Sequence, residues 1–218
     1  SRGLGDVYKR QILDGRKSCT RRVIKFPVNR YTNNVPLADK VVVQELRCDK
    51  VNFLEEPFFS YGMNLPYQPG DILYVRETWQ YLYELDGNEQ VIEDTGKYYY
   101  AATDTIPFNT YVDENGVRHD HAPWRPSIHM PKEAARIWLK VTNVRVERLQ
   151  KITTNQIEQE GVETEYPHVL NGEENKYAFQ NLWNSTIKKS DLDFYGWDAN
   201  PWVWVIEFER CEKPGSEV

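Results

Sequence analysis

Apolar and polar residues alternate most regularly in the second half of the chain. The segment ARIWLKVTNVRVERL at 135–149 alternates along its length and predicts a long strand. The segment ITTNQIEQEGV predicts a helix that is capped by Thr153 or Thr154 and ends at Gly161. Apolar residues at helical spacing predict an amphipathic helix at 177–187, and NPWVWVIEFERC then predicts a last strand with apolar groups on both faces.

The first half of the chain predicts shorter elements separated by loops. ILDGRKSCTRRVIKF at 12–26 predicts a helical turn, a loop that begins at Gly15 and entry into a strand. FFSYGMNLPYQ, inside an insertion at 27–68, predicts an ordered aromatic loop, and 104–131 predicts a second, irregular insertion. Runs rich in β-branched and aromatic residues predict further strands at 41–46, 72–75 and 97–103.

The predicted strands outnumber the helices and do not alternate with them, which argues against a doubly wound α/β sheet. We therefore predict an α+β, mainly β fold, in which a small β-barrel is decorated with short helices and long loop insertions. We expect one domain over 12–211 and a C-terminal tail at 212–218. SRGLGDVYKRQ at 1–11 resembles adapter-derived sequence and is expected to be non-native or disordered.

Composition narrows the classes of partner and cofactor. The net charge of −6 argues against duplex DNA, because neutralisation of phosphates supplies most of that affinity. Three cysteines without a Cys-x-x-Cys pair suggest neither a disulfide framework nor a metal site, and His119 and His121 are expected to be surface residues of a polar loop. No apolar run is long enough to span a membrane, and no signal peptide is recognisable. We therefore expect a cytoplasmic protein without a metal or an organic cofactor.

The octapeptide GRKSCTRR concentrates residues that bear chemistry. Gly15 permits tight backbone geometry and the close approach of a ligand. Lys17 and Thr20 lie three residues apart and would share one face of a helical turn, where a desolvated lysine can accept the proton of a hydroxyl nucleophile. Arg21 and Arg22 could clamp a carboxylate, a phosphate or a carbonyl. A solvated basic loop is the alternative interpretation of the same octapeptide.

The spacing Gly15-x-Lys17-x-x-Thr20-x-Arg22 is similar to the G-x-K-x-x-T-x-R signature of the ASCH family, which belongs to the PUA-like β-barrel superfamily. The strand opened by PGD, the helix ITTNQIEQEGV and the final strand follow in the order found in that family. RETW, YYYAAT and the long strand resemble the longer ASCH proteins of phages and prophages. The resemblance covers the whole predicted domain.

The resemblance implies an enzymatic activity. Small bacterial ASCH proteins of this signature include amidohydrolases that remove the acetyl group from N4-acetylcytidine. Carried over by position, their catalytic residues are Lys17 as activator, Thr20 as nucleophile and Glu160 as acid and base. Glu158 lies close by, but Glu160 directly precedes the glycine, as it does in the family pattern. Arg22, or a backbone N–H near the signature glycine, would stabilise the oxyanion.

Four further residues are candidates for binding the substrate. Glu77 ends a strand inside RETW, where it would accept from a cytosine amino group, pair with a basic residue of the signature, or serve only a structural ion pair. Trp79 and Trp124 would sandwich a base, with core packing as the alternative for either ring. Ser127 lies in WRPSIHMP, which is expected to border the cleft.

Two functions of other classes compete with the amidohydrolase of a modified nucleoside. PUA-like barrels often bind RNA, so a non-catalytic module of phage origin that binds single-stranded RNA is the first alternative. A phage accessory protein whose barrel serves protein contacts is the second. The enzyme requires Lys17, Thr20 and a carboxylate to converge, whereas the RNA-binding module requires a continuous basic groove, and the accessory protein an exposed apolar patch.

Overall fold

The structure is a computed structural model, and it describes most of the chain. The described residues are 4–25, 41–46, 50–55, 59–84, 86, 88, 90–106, 111–112, 115–119, 123–162, 164 and 173–215. Within these ranges, no helix is both long enough and apolar enough to cross a membrane.

Short strands dominate the described elements, and helices are interspersed among them. The helices are α1 (Leu4–Leu13), α2 (Thr154–Gln159), α3 (Glu173–Thr186) and α4 (Leu192–Tyr195). The strands are β1 (Cys19–Val23), β2 (Val41–Leu46), β3 (Lys50–Glu55), β4 (Phe59–Asn64), β5 (Ile72–Tyr74), β6 (Trp79–Leu82), β7 (Lys97–Tyr100), β8 (Tyr111–Val112), β9 (Arg118–His119), β10 (Trp138–Arg148) and β11 (Trp202–Cys211). The predicted β-rich α+β class is therefore confirmed, while the PUA-like barrel stays a prediction.

Contacts between Cα atoms divide the chain into two compact units. Unit 1 comprises residues 1–15, 73–139 and 210–218, and unit 2 comprises residues 16–72 and 140–209. A compact unit is not by itself an independently folding domain, so the predicted domain boundaries stay a prediction.

Strand β1 pairs antiparallel with β11, in a four-stranded sheet of order β1-β11-β10-β5. Thr20 lies opposite Ile206, and Arg21 lies opposite Val205. Side chains alternate along a strand and opposite partners share a face, so Arg21 lies on one face with Val205 while Thr20 lies on the other. Residues 203–206 are all buried, as the apolar pattern of this strand predicts.

The face of the sheet that carries Arg21 belongs to the core of unit 2. That core joins strand residues to α2 and α3: Cys19, Leu149, Ile152, Ile157, Val162, Phe179, Trp183, Val203 and Val205. Phe179 and Trp183 are four residues apart on α3, so their rings meet on one face of the helix, with centroids 6.2 Å apart. The predicted amphipathic helix is confirmed.

Unit 1 has its own core, built around the ribbon of β6 and β7. Its buried residues are Trp79, Tyr100, Met130, Ala134, Ala135 and Trp138. The polar atoms of its large rings are mostly satisfied by backbone: the Tyr100 hydroxyl donates to Ala134 O at 2.6 Å, and Trp138 Nε1 donates to Ala135 O at 3.0 Å. This core therefore fixes the chain around the turn at 134–135.

The structure confirms some of the predicted strands and loops and contradicts others. The loop predicted for FFSYGMNLPYQ is wrong over 59–64, because this segment is β4 and pairs along its whole length with β3. The strand predicted over 97–103 ends at Tyr100, where the chain turns and Thr103 N donates to Tyr100 O. The strands predicted at 41–46 and 135–149 are confirmed as β2 and β10. His121 and residues 26–40 lie outside the described residues.

Candidate functional site

Lys17 and Glu160 are 143 positions apart in the sequence and form an ion pair in unit 2. Lys17 Nζ donates to Glu160 Oε2 at 2.8 Å and to the main-chain oxygen of Glu160 at 2.7 Å. Each side chain is only 8% exposed. The pair is therefore largely shielded from water. The attraction between opposite charges is stronger in such an environment than in water.

Helix α2 positions Glu160 by the way in which it ends. Glu160 is the C-cap, and Gly161 adopts a φ of +83°, which is accessible to glycine at no steric cost. Gly161 N donates to Glu158 O at 2.8 Å, and Val162 N donates to Ile157 O at 3.2 Å, which together form a Schellman motif. Ile157 and Val162 are both in the core, so the carboxylate leaves the helix at a fixed point.

The segment before β1 positions Lys17 through backbone hydrogen bonds that join the next residue, Ser18, to α2 and to β11. Ser18 N donates to Gln159 O at the end of α2, at 2.9 Å, and Phe208 N donates to Ser18 O, also at 2.9 Å. Ser18 is thereby tied both to the helix and to β11. The lysine next to it meets a carbonyl of the helix end, where a cation is electrostatically favourable.

Arg21 is the residue of this site that the sequence did not single out as catalytic. Its Nη1 donates to Glu160 Oε1 at 3.1 Å, and its Nη2 donates to Gln156 Oε1, also at 3.1 Å. Glu147 Oε2 lies 3.6 Å from the same Nη2. The arginine side chain is 1% exposed, and the strand register that turns it toward α2 could not be read from the local sequence.

The prediction that Lys17 and Thr20 share a face of a helical turn is wrong. Thr20 lies in β1, and by alternation its side chain is on the face opposite to that of Arg21. Arg22 is exposed in the same strand, opposite Trp204. The structure thus brings together Lys17 and Glu160 of the predicted catalytic residues, and it places Thr20 on the other side of the sheet.

Cys19 lies beside this cluster and is buried in the core. Burial, and then the charge of Glu160, raise the pKa of the Cys19 thiol from 9.0 to about 12, against the opposing charge of Arg21. The thiol is therefore protonated at neutral pH. Because the thiolate is the nucleophilic form of cysteine, Cys19 is unsuited to be the nucleophile of this site.

Glu77 lies in unit 1 and is part of a second buried ion pair. Its side chain is fully buried, and its two oxygens accept from Nε and Nη2 of Arg136, each at 2.8 Å. The guanidinium also donates to Thr103 Oγ1 at 2.8 Å and lies 3.9 Å from the centroid of the Tyr100 ring. Of the roles considered for Glu77, the structure shows the ion pair, with Arg136 as a partner that the sequence did not indicate.

The other predicted binding residues also lie in unit 1. Trp79 is 5% exposed and belongs to the core, with the Arg125 guanidinium 5.2 Å from the centroid of its ring. Trp124 is half-buried, as is Ser127, which begins a 3-10 helix. Gly15 is exposed in a loop and has a φ of +75°, which agrees with its predicted need for an unusual backbone.

The cluster in unit 2 has the parts of an acid–base site. It holds a lysine ammonium against a carboxylate, with an arginine on the second oxygen of that carboxylate. Each carboxylate oxygen has a second lone pair with which it can accept from water or from a substrate. Among the described residues, no group of three or more His, Cys, Asp and Glu side chains could hold a metal ion.

Comparison with protein-family models, with curated proteins and with solved structures finds no match for this chain. The likeness of its octapeptide to the ASCH signature therefore stays a prediction.

Proposed function

We propose that this protein hydrolyses the amide of an acylated nucleoside such as N4-acetylcytidine. The observation that carries the proposal is the buried contact of Lys17 Nζ with the Glu160 carboxylate at 2.8 Å. A buried ion pair is a weak device for stability, because desolvation of the two charges offsets their attraction. The Glu160 carboxylate is shared between two cations and keeps capacity to accept from a substrate, and we take this as the reason for the pair.

In the proposed reaction, water attacks the acyl carbonyl. Glu160 takes a proton from the water while the oxygen of that water bonds to the carbonyl carbon. Lys17 stabilises the negative charge that forms on the carbonyl oxygen. Glu160 then returns the proton to the N4 nitrogen as the C–N bond breaks. Acetic acid and the free amine leave, the acid then loses its proton to solvent to become acetate, and no redox partner is needed.

Water replaces Thr20 in this scheme because of the geometry of β1. A hydroxyl on one face of a strand cannot reach a carbonyl that is held by side chains on the other face. The nucleophile assigned by the resemblance is therefore set aside, while its lysine and glutamate keep their proposed roles.

The proposal predicts that Glu160→Gln lowers the rate of hydrolysis roughly 10²- to 10⁴-fold, because the variant cannot accept a proton. Release of cytidine from N4-acetylcytidine, and of the amines from a panel of other N-acyl nucleosides, is followed by chromatography. Glu158→Gln is the matched control, since Glu158 is an exposed carboxylate on the same helix and two residues away. We expect Thr20→Val to retain most of the rate.

Two results would contradict the proposal. One is a wild-type protein that hydrolyses no member of the panel. The other is an equal loss in the Glu158 and Glu160 variants, which would mean that the assay reports a general effect on α2. Binding of single-stranded RNA with a steep dependence on salt would instead support the RNA-binding module.

A further inference from the structure

Arg21 contacts both ends of helix α2 through different nitrogens. Its Nη2 donates to Gln156, whose side-chain oxygen also accepts from the N-cap backbone N–H of Thr153 at 3.0 Å. Its Nη1 donates to Glu160, which is the C-cap of the same helix. One planar guanidinium thus joins the first turn of the helix to its C-cap.

The two oxygens of Glu160 are held by cations that come from different segments. Arg21 Nη1 binds Oε1 at 3.1 Å, and Lys17 Nζ binds Oε2 at 2.8 Å. A carboxylate with a donor on each oxygen cannot rotate about its last torsion without breaking one of the two bonds. Arg21 therefore fixes the plane of the carboxylate, and Lys17 alone would not.

The charges of the cluster also balance only with Arg21 in place. Three cations, Lys17, Arg21 and Arg145, face three carboxylates, Glu160, Glu147 and Glu207. Without the Arg21 guanidinium, the three carboxylates would share two cations. Because like charges repel each other, the loss of Arg21 should weaken the hold on Glu160.

We propose that Arg21 is a positioning residue, which orients the Glu160 carboxylate toward its reacting partner and holds α2 to β1. The family signature points to Arg22, but that residue is exposed on the opposite face of β1, where it lies opposite Trp204. Only the kinetic consequence of this inference rests on the proposed function. The geometric consequence, a helix held at both ends, does not depend on any substrate.

Arg21→Met and Arg22→Met are the matched pair of variants, since they remove the same charge from neighbouring residues on opposite faces of one strand. Hydrogen–deuterium exchange of the peptide 153–162 is measured by mass spectrometry in the full chain. We expect exchange in Arg21→Met to be roughly 10- to 100-fold faster than in wild type, as the loss of hydrogen bonds to a charged group predicts. Arg22→Met should exchange like wild type.

Kinetics with an N-acyl nucleoside separate positioning from stability. In Arg21→Met we expect kcat to fall roughly 10- to 100-fold with KM changed less than about twofold, because a misoriented Glu160 weakens only the chemical step. Guanidinium ion, at concentrations too low to unfold the protein, should restore part of kcat. Arg21→Lys should lie between wild type and Arg21→Met, since an ammonium cannot contact Gln156 and Glu160 with the geometry of a planar fork.

Equal exchange of 153–162 in the two methionine variants would overturn the inference, whatever the activity. A wild-type protein without hydrolytic activity would overturn the proposed function, while the exchange experiment would still decide the role of Arg21. If Arg21→Met does not fold, Arg21→Lys decides: wild-type exchange together with wild-type kcat in that variant would show that the fork is not needed.

Discussion

Glu77 in unit 1 and Glu160 in unit 2 are both buried carboxylates, and each is bound by an arginine. Arg136 binds both oxygens of Glu77 at 2.8 Å, in the bidentate geometry that suits a guanidinium and a carboxylate. Glu160 divides its oxygens between Lys17 and Arg21, which come from different positions of the chain. The Glu77 carboxylate is bound by one cation, whereas the Glu160 carboxylate is shared by two.

The two ion-pair clusters also differ in the hydrogen-bonding capacity that they leave unused, although Trp79 Nε1 in the core of unit 1 is likewise buried without a hydrogen-bond partner among the described residues. Around Glu160, Arg21 Nε and Glu147 Oε2 are buried without a hydrogen-bond partner in the part of the chain that the structure describes. Around Glu77, Arg136 adds a bond to Thr103 and packs on the Tyr100 ring. A saturated pair stabilises one arrangement, whereas unused donors and acceptors are costly in a core unless they serve a ligand, a water or a reaction.

The largest effect on stability is expected from Arg136→Met. The substitution leaves Glu77 buried without its cation, which should cost about 3–5 kcal/mol in the free energy of unfolding. Arg21→Met should cost less, roughly 1–3 kcal/mol, because Glu160 keeps Lys17. Urea denaturation of both variants measures the difference. Equal losses would mean that the two carboxylates depend on their arginines to the same degree.

Alkylation of Cys19 reports on the charge inside the Glu160 site. The thiol is buried and its pKa is raised to about 12, so it should react with iodoacetamide at pH 8 at least roughly 10³-fold more slowly than in the unfolded chain, because the reagent has little access and the thiolate is the reactive form. Glu160→Gln removes the second cause of the raised pKa and should speed the reaction, whereas Glu77→Gln should not. Peptide mapping after timed labelling measures both rates.

The sign of the same shift fixes how stability depends on pH in the alkaline range. A thiol that ionises less readily in the folded state contributes stability below pH 9, and this contribution is lost as the pH rises toward about 12. Cys19→Ala should therefore flatten the fall in unfolding free energy between these two values. An unchanged alkaline slope would contradict the assigned pKa.

Gly161→Ala tests how strongly the end of α2 fixes Glu160. Alanine at a φ of +83° should cost about 1–2 kcal/mol in unfolding free energy, since its Cβ approaches the neighbouring carbonyl in the left-handed region. Hydrolysis should fall by more than the stability loss explains, because the C-cap moves with the backbone. If the variant loses stability but keeps its full rate at a temperature where it is folded, the C-cap of α2 is not needed to position Glu160 for hydrolysis.

The smallest effect is expected from replacing the whole closed pair in unit 1. Glu77→Met combined with Arg136→Met removes both charges and keeps similar volumes, so the unfolding free energy should stay within about 1 kcal/mol of wild type. Chemical denaturation of the double variant beside the two single variants completes a double-mutant cycle. A double variant as unstable as Arg136→Met alone would show that the pair contributes to stability by more than the mutual neutralisation of its two charges.

The sequence by itself determined the elements whose signals are local. The capping box that joins Thr153 and Gln156, and the stop at Gly161, lie within a few residues of each other and predict α2 with its ends. The long alternation of β10 and the two-sided apolar pattern of β11 predict both strands and the burial of the second. Lys17 and Glu160 could be singled out as catalytic candidates only through the resemblance of the sequence around them to the ASCH signature.

Only the tertiary structure decided which side chains meet. A strand presents neighbouring residues to opposite faces, so a register that no local pattern encodes sends Arg21 to the Glu160 site and Thr20 away from it. The pairing of Glu77 with Arg136 spans 59 positions, and it depends on the packing of the core of unit 1 rather than on any motif. Local sequence fixes the backbone of an element, whereas the partners of a buried charge depend on long-range packing.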